Sequence, residues 1–176
     1  MITGRSRFNI YLLFAFTALL ACGCGSTKKK DESLSTLRIH LEVIPSAMDF
    51  SINVPVYRAN PVMITVDKEP FLTELNVASA KVVESMGGFA LQIEFNHSGN
   101  MLLEQYTAGN PGRHLAIFSL FGKKKEESRW LGAPIIAHRI SNGILIFTPD
   151  ASREEAERVA AGLNNYAKKS LEKSKW

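Results

Sequence analysis

The chain has 176 residues, 21 basic and 17 acidic side chains, a net charge of +4, 45% hydrophobic residues and only two cysteines. That length suits one domain with an ordinary apolar core. The near balance of charge argues against a nucleic-acid surface, and the neighbouring pair Cys22 and Cys24 rules out a disulfide framework.

The first element is a leader. Arg5 and Arg7 give it a positive start, and residues 8–20 form an apolar stretch interrupted only by Asn9 and Thr17. A spanning helix needs roughly 20 apolar residues, so this stretch reads as a signal-peptide core. Leu19 and Ala21 stand three and one positions before Cys22, the pattern of a bacterial lipobox. The expectation is a signal peptide over residues 1–21, cut between Ala21 and Cys22, with Cys22 carrying a diacylglyceryl group and its freed amine acylated by a chain of the palmitate kind. Each buried methylene contributes about 0.8 kcal/mol, so two or three chains make an essentially permanent membrane anchor. Loss of Arg5 and Arg7 leaves 19 basic residues against 17 acidic ones, a net charge of +2. Residues 22–36 read as a polar tether, whose Lys28, Lys29 and Lys30 would suit anionic head groups at about 1 kcal/mol each. Gly23 stands where some lipoproteins carry an inner-membrane aspartate, which points towards the outer membrane with the domain in the periplasm.

From Leu37 the pattern becomes β-rich. Residues 37–43 alternate with period two, which puts His40 on the polar face. Residues 62–66 form a second strand candidate, and the prolines at 45, 55, 61 and 70 exclude long helices here. Residues 37–70 are set apart as a β-rich extension of a domain running over residues 71–169, with 170–176 as a polar tail. A short turn over residues 72–78 leads to two β runs around Gly87-Gly88, which read as a hairpin.

The second half carries its own helix signals. Ser98 is placed as the cap of a short helix to about Thr107, with Leu102, Leu103 and Tyr106 inward. Residues 114–120 form an apolar strand. Residues 135–140 and 144–147 flank Asn142-Gly143, read as a hairpin turn. Ser152 and Glu155 form a capping box, and Ala156, Val159, Ala160, Leu163 and Ala167 make one helical stripe. The fold class expected is α+β, an antiparallel β-sheet with two helices packed on one face in a two-layer sandwich.

Several strings in this order resemble a known family. They are Gln92-Ile93-Glu94-Phe95, Thr107, Gly112-Arg113-His114-Leu115-Ala116-Ile117, Ala133-Pro134-Ile135-Ile136, Ile140-Ser141-Asn142-Gly143, Phe147, and Glu154-Glu155-Ala156 leading to Gly162-Leu163. From about Phe71 to Leu163 the chain resembles the head subdomain of the first periplasmic region of SecD, of the SecD/SecDF protein-export family. The resemblance implies a head that contacts emerging polypeptide, without the transmembrane helices that carry the family's proton-coupled work. The charged loop over residues 122–129 departs from the tight turn usual in that family.

No enzyme is expected, and neither cofactor, metal nor small-molecule substrate is inferred. His40, His97, His114 and His138 lack ligand spacing, and no nucleophile stands beside a signature base. Gly87-Gly88 lacks the following helix of a phosphate cradle. Asp150, Glu154 and Glu155 suit a helix start for reasons of dipole alone. Arg129, Trp130 and Leu131, at the edge of the charged loop, are the candidate partner-binding residues, with Trp130 alternatively closing the core. The function expected is a lipid-anchored envelope module that binds polypeptide or a protein partner, accessory to export; the alternative is a structural lipoprotein docked to one fixed partner.

Overall fold

The computed structural model describes residues 33–45, 50–122 and 127–173. The chain divides into two units, Met1–Asp31 and Glu32–Trp176, and all described residues lie in the second. The leader, Ala21, Cys22, Cys24, most of the tether, residues 123–126 of the charged loop and residues 174–176 of the tail lie outside the described residues.

Among the described residues, nine strands and two helices follow in order: β1 (Thr36–Leu41), β2 (Ser51–Val56), β3 (Val62–Asp67), β4 (Leu72–Thr73), a 3-10 turn (Glu74–Asn76), β5 (Val77–Ser85), β6 (Gly88–Phe95), α1 (His97–Gly109), β7 (Leu115–Phe121), β8 (Glu127–Gly132), β9 (Ile144–Phe147) and α2 (Arg153–Lys173). Every pairing is antiparallel, in a four-stranded sheet β4-β1-β7-β8, a three-stranded sheet β5-β6-β9 and a hairpin β2-β3. This is the α+β class the pattern predicts.

The main core collects one face of each larger sheet and the inner stripes of both helices. Leu37, Ile39 and Ile117 meet Leu91, Ile93 and Leu145, with Leu103 from α1 and Val159 and Leu163 from α2. Each such side chain, fully buried, contributes roughly 1.5–3 kcal/mol. At the start of α2 the capping box forms: the Ser152 amide donates to Glu155 (2.8 Å) and the Glu155 amide to Ser152 Oγ (3.2 Å). Close approach sets one glycine, because a Cβ at Gly162 would lie 2.1 Å from Ser35 Oγ. The β5-β6 hairpin turns through Met86-Gly87, with Gly87 at φ +83°.

Three local expectations need correction. The cap of α1 stands two residues before Ser98, at Asn96, whose side chain accepts from the Gly99 amide at 2.9 Å; Ser98 donates to that same Asn96 oxygen instead of capping. Residues 135–140 do not pair with β9. The Ile136 amide donates to Arg113 O (2.8 Å) and the Ile140 amide to Thr107 Oγ1 (3.0 Å), while β9 pairs with β6. Asn142-Gly143 is therefore the entry to β9: Gly143 adopts φ +69°, and Asn142 accepts from the Ile144 amide.

The third correction concerns His40, which is only 5% exposed. The β2-β3 hairpin covers the second face of the four-stranded sheet there, and Val54, Val56, Ile64 and Val66 close on Ala116 and Ala133 in a smaller core. Residues 37–70 thus supply an interior strand, β1, flanked by β4 and β7, together with this covering hairpin.

Candidate functional site

A groove of about 520 Å³ opens beside β9, with residues 134–142 as one wall and Ile144, Leu145 and Ile146 as the other. Three hydrogen bonds hold the first wall. The Leu115 amide donates to Pro134 O (2.9 Å), the Ile136 amide to Arg113 O, and the Gly112 amide to Ile136 O (2.9 Å). Thr107 anchors its far end: the hydroxyl is buried, donates to Leu103 O at 2.7 Å and accepts from the Ile140 amide. Alternation sets the second wall, since Leu145 and Phe147 enter the core and leave Ile146 on the opposite face.

The walls carry aliphatic surface at their rims. Ile135 is 60% exposed and Ile146 53%. The polar residues at the groove are His138, Arg139, Ser141 and Asn142, and the Arg139 guanidinium is engaged by Glu104 of α1. Among the described residues, no group of three His, Cys, Asp or Glu side chains has the geometry to hold a metal ion.

The residues singled out beside the charged loop occupy three different environments. Leu131 is fully buried in the main core. Arg129 grips Glu155 with two hydrogen bonds of 2.8 and 3.0 Å and donates to Asp150 O. That bidentate grip holds the Glu155 carboxyl at about 2, from an ordinary 4.5, against the opposing effect of burial. Trp130 lies half-buried between His40, whose ring centroid is 5.4 Å away, and Phe118 at 5.1 Å. It closes the seam between the four-stranded sheet and the hairpin.

The histidines are dispersed. His40 Nδ1–H donates to Asp67 O at 2.8 Å, and burial lowers its pKa. His114 meets Glu42 at 2.7 Å; burial would raise the Glu42 carboxyl, but the hydrogen bonds from His114 outweigh it and hold the pKa below its ordinary value. Ile135 and Ile146 are the site residues that local reading missed. Each belongs to an apolar string visible in the sequence, but their exposure depends on which strands residues 134–136 and 144–147 join.

With this geometry in view, the comparison with protein families is decisive. The model of the SecDF P1 head subdomain matches residues 51–167. The chain belongs to the SecDF P1 head family. The match takes in the β2-β3 hairpin as well as the segments named above, so this head includes the second cover of the sheet. One solved structure, described as a membrane component SecDF that enhances protein export, superposes with a TM-score of 0.52 at 18% identity, covering 76% of this chain and 63% of that one. SecDF in a super-membrane-facing form gives a TM-score of 0.52 at 19% identity, covering 76% of this chain and 19% of that chain. At these identities the likeness is one of fold, and this chain spans less than two thirds of either structure. Among curated proteins none matches. Among the described residues, no helix is long and apolar enough to cross a membrane.

Proposed function

We propose that this P1 head is a lipid-anchored, non-catalytic module of the cell envelope that binds polypeptide in the service of protein export. The observation that carries the reading is the β9 groove, whose aliphatic rims at Ile135 and Ile146 lie on a domain of the SecDF P1 head family. A groove with exposed aliphatic rims and few charged groups suits unfolded chain, which exposes the side chains that folded proteins hide. Lipidation of Cys22 supplies the anchor, and the polar segment over residues 23–32 lets the head stand off the membrane in the periplasm. Gly23 favours the outer membrane.

Crosslinking in intact cells tests this. A photoreactive residue replaces Ile135 in one strain and Met86, at the exposed β5-β6 turn, in another. The expected result is capture of many different exported polypeptides from position 135, few from position 86, and loss of capture when Cys22→Ala removes the anchor. One constant envelope protein captured from position 135 would favour a structural lipoprotein docked to a fixed partner. Equal capture from both positions would remove the groove from the account.

A further inference from the structure

The β9 groove is bounded by backbone as well as by side chains. β9 is the last strand of its sheet. The Phe95 amide donates to Gly143 O at 2.9 Å, and the register continues Glu94 to Ile144, Ile93 to Leu145 and Gln92 to Ile146. In an antiparallel ladder, hydrogen-bonded and non-hydrogen-bonded pairs alternate. Gly143, Leu145 and Phe147 therefore turn their amides and carbonyls towards β6, whereas Ile144 and Ile146 turn theirs away from it. Asn142 takes the Ile144 amide. The Ile144 carbonyl and both backbone groups of Ile146 remain at the open edge.

The opposite wall has the same construction. Pro134 O and the Ile136 amide bond to Leu115 and Arg113, around the bridge between His114 and Ile135. Ile135 therefore directs its own amide and carbonyl to the other side. Both open edges belong to segments that line the one groove.

Two other edges carry partners from outside their sheets. Asn164 of α2 meets β5 with both ends of its amide, accepting from the Ala80 amide and donating to Ala80 O, each at 2.8 Å. On β8, Leu131 O accepts from the Asp150 amide at 2.6 Å, and the Ala133 amide just beyond donates to the Tyr57 hydroxyl at 3.3 Å. Proteins cover or blunt sheet edges because a free edge templates another strand. Here an open edge borders the groove with the aliphatic rims.

We propose that the β9 edge takes up one extended segment of an unfolded polypeptide as an added strand. The inference rests on the polypeptide-binding reading and adds to it a mode and a preference. Paired amides and carbonyls at strand spacing recognise an extended backbone whatever its sequence, which suits a head that meets many chains. Alternate side chains of the added strand face the groove, so segments with an apolar residue at every second position bind best.

The test uses the full-length chain in detergent and a fluorescent ten-residue peptide of alternating valine and serine, read by anisotropy. Two further peptides carry N-methyl groups on the odd or on the even residues. Only one of these sets points its amides at the edge, so one methylated peptide should bind like the parent and the other should be at least about tenfold weaker. Ile146→Pro deletes the outward amide but no bond to β6, a position at which an edge strand tolerates proline, and should weaken the parent peptide by a similar factor. Ile146→Thr keeps the amide and should stay within about threefold. If both methylated peptides bind like the parent and Ile146→Pro is neutral, strand addition is wrong while polypeptide binding stands. If the wild-type chain binds no peptide, both readings fail. A dimer that Ile146→Pro dissociates and that excludes peptide would assign the edge to a second copy and overturn the proposal. Should Ile146→Pro lose its cooperative melting, the methylated pair on the wild-type chain decides.

Discussion

The four-stranded sheet is covered on one face by helices and the three-stranded sheet, and on the other by the β2-β3 hairpin. The first cover is large and apolar: Leu37, Ile39, Ile117 and Phe121 are fully buried in one cluster with side chains of similar size. The second is small and fastened at its rim by polar contacts. Its apolar part is four valine and isoleucine side chains over Ala116 and Ala133. Around it, His40 holds Asp67 O, Tyr57 holds the Ala133 amide, and the Arg58 amide donates to Asp150 at 2.7 Å. A cover of this second kind opens more easily, because less apolar area leaves water and each exposed ion pair adds little.

The largest expected difference is between core truncations. Leu163→Ala, under the helical cover, should lower global stability by about 2–5 kcal/mol, measured by urea denaturation. Val54→Ala, under the hairpin, should cost about 1–2 kcal/mol. Its signature should be faster amide exchange confined to β2 and β3; equal global losses would erase the distinction between the two covers.

Arg129 lies where the covers meet, because Glu155 belongs to α2 while Asp150 receives Arg58 from the hairpin. Arg129→Ala should cost about 1.5–3 kcal/mol, the range for charge-assisted hydrogen bonds. The pH profile sharpens this. Glu155 has a depressed pKa, so its contribution is fully present above about 4.5 and is lost as pH falls towards 2. Thermal melts between those values should lose much of their slope in the variant; an unchanged slope would detach Glu155 from Arg129.

A smaller effect belongs to His40. Burial lowers its pKa from 6.5, so the unfolded chain takes up the proton first. Stability from this group is present above pH 6.5 and declines as the solution is acidified below it. His40→Phe should flatten that decline and leave the carboxylate-driven loss at lower pH in place. A decline of the same size in the variant would assign it to other groups.

The difference between the covers also explains what the sequence made legible. Period-two alternation in residues 37–43 and the stripe from Ala156 to Ala167 report burial against one apolar layer, and both are read correctly from local spacing. The same alternation misplaces His40, since it carries no information about a second layer arriving from residues 51–67. Asn142-Gly143 is a true turn, but local chemistry does not specify which strand follows it into the ladder. Long-range pairing with β6 makes β9 an edge, and that edge makes the groove. The aliphatic strings at Ile135 and Ile146 are visible in the sequence, and their exposure is a property of topology.

The most direct test is amide hydrogen exchange on the full chain, with and without a permanently unfolded polypeptide. The account predicts that the amide of Ile146, which bonds to no other strand in the free protein, becomes protected on binding while β2 and β3 are unaffected. Protection confined to β2 and β3, or none at Ile146, would contradict it.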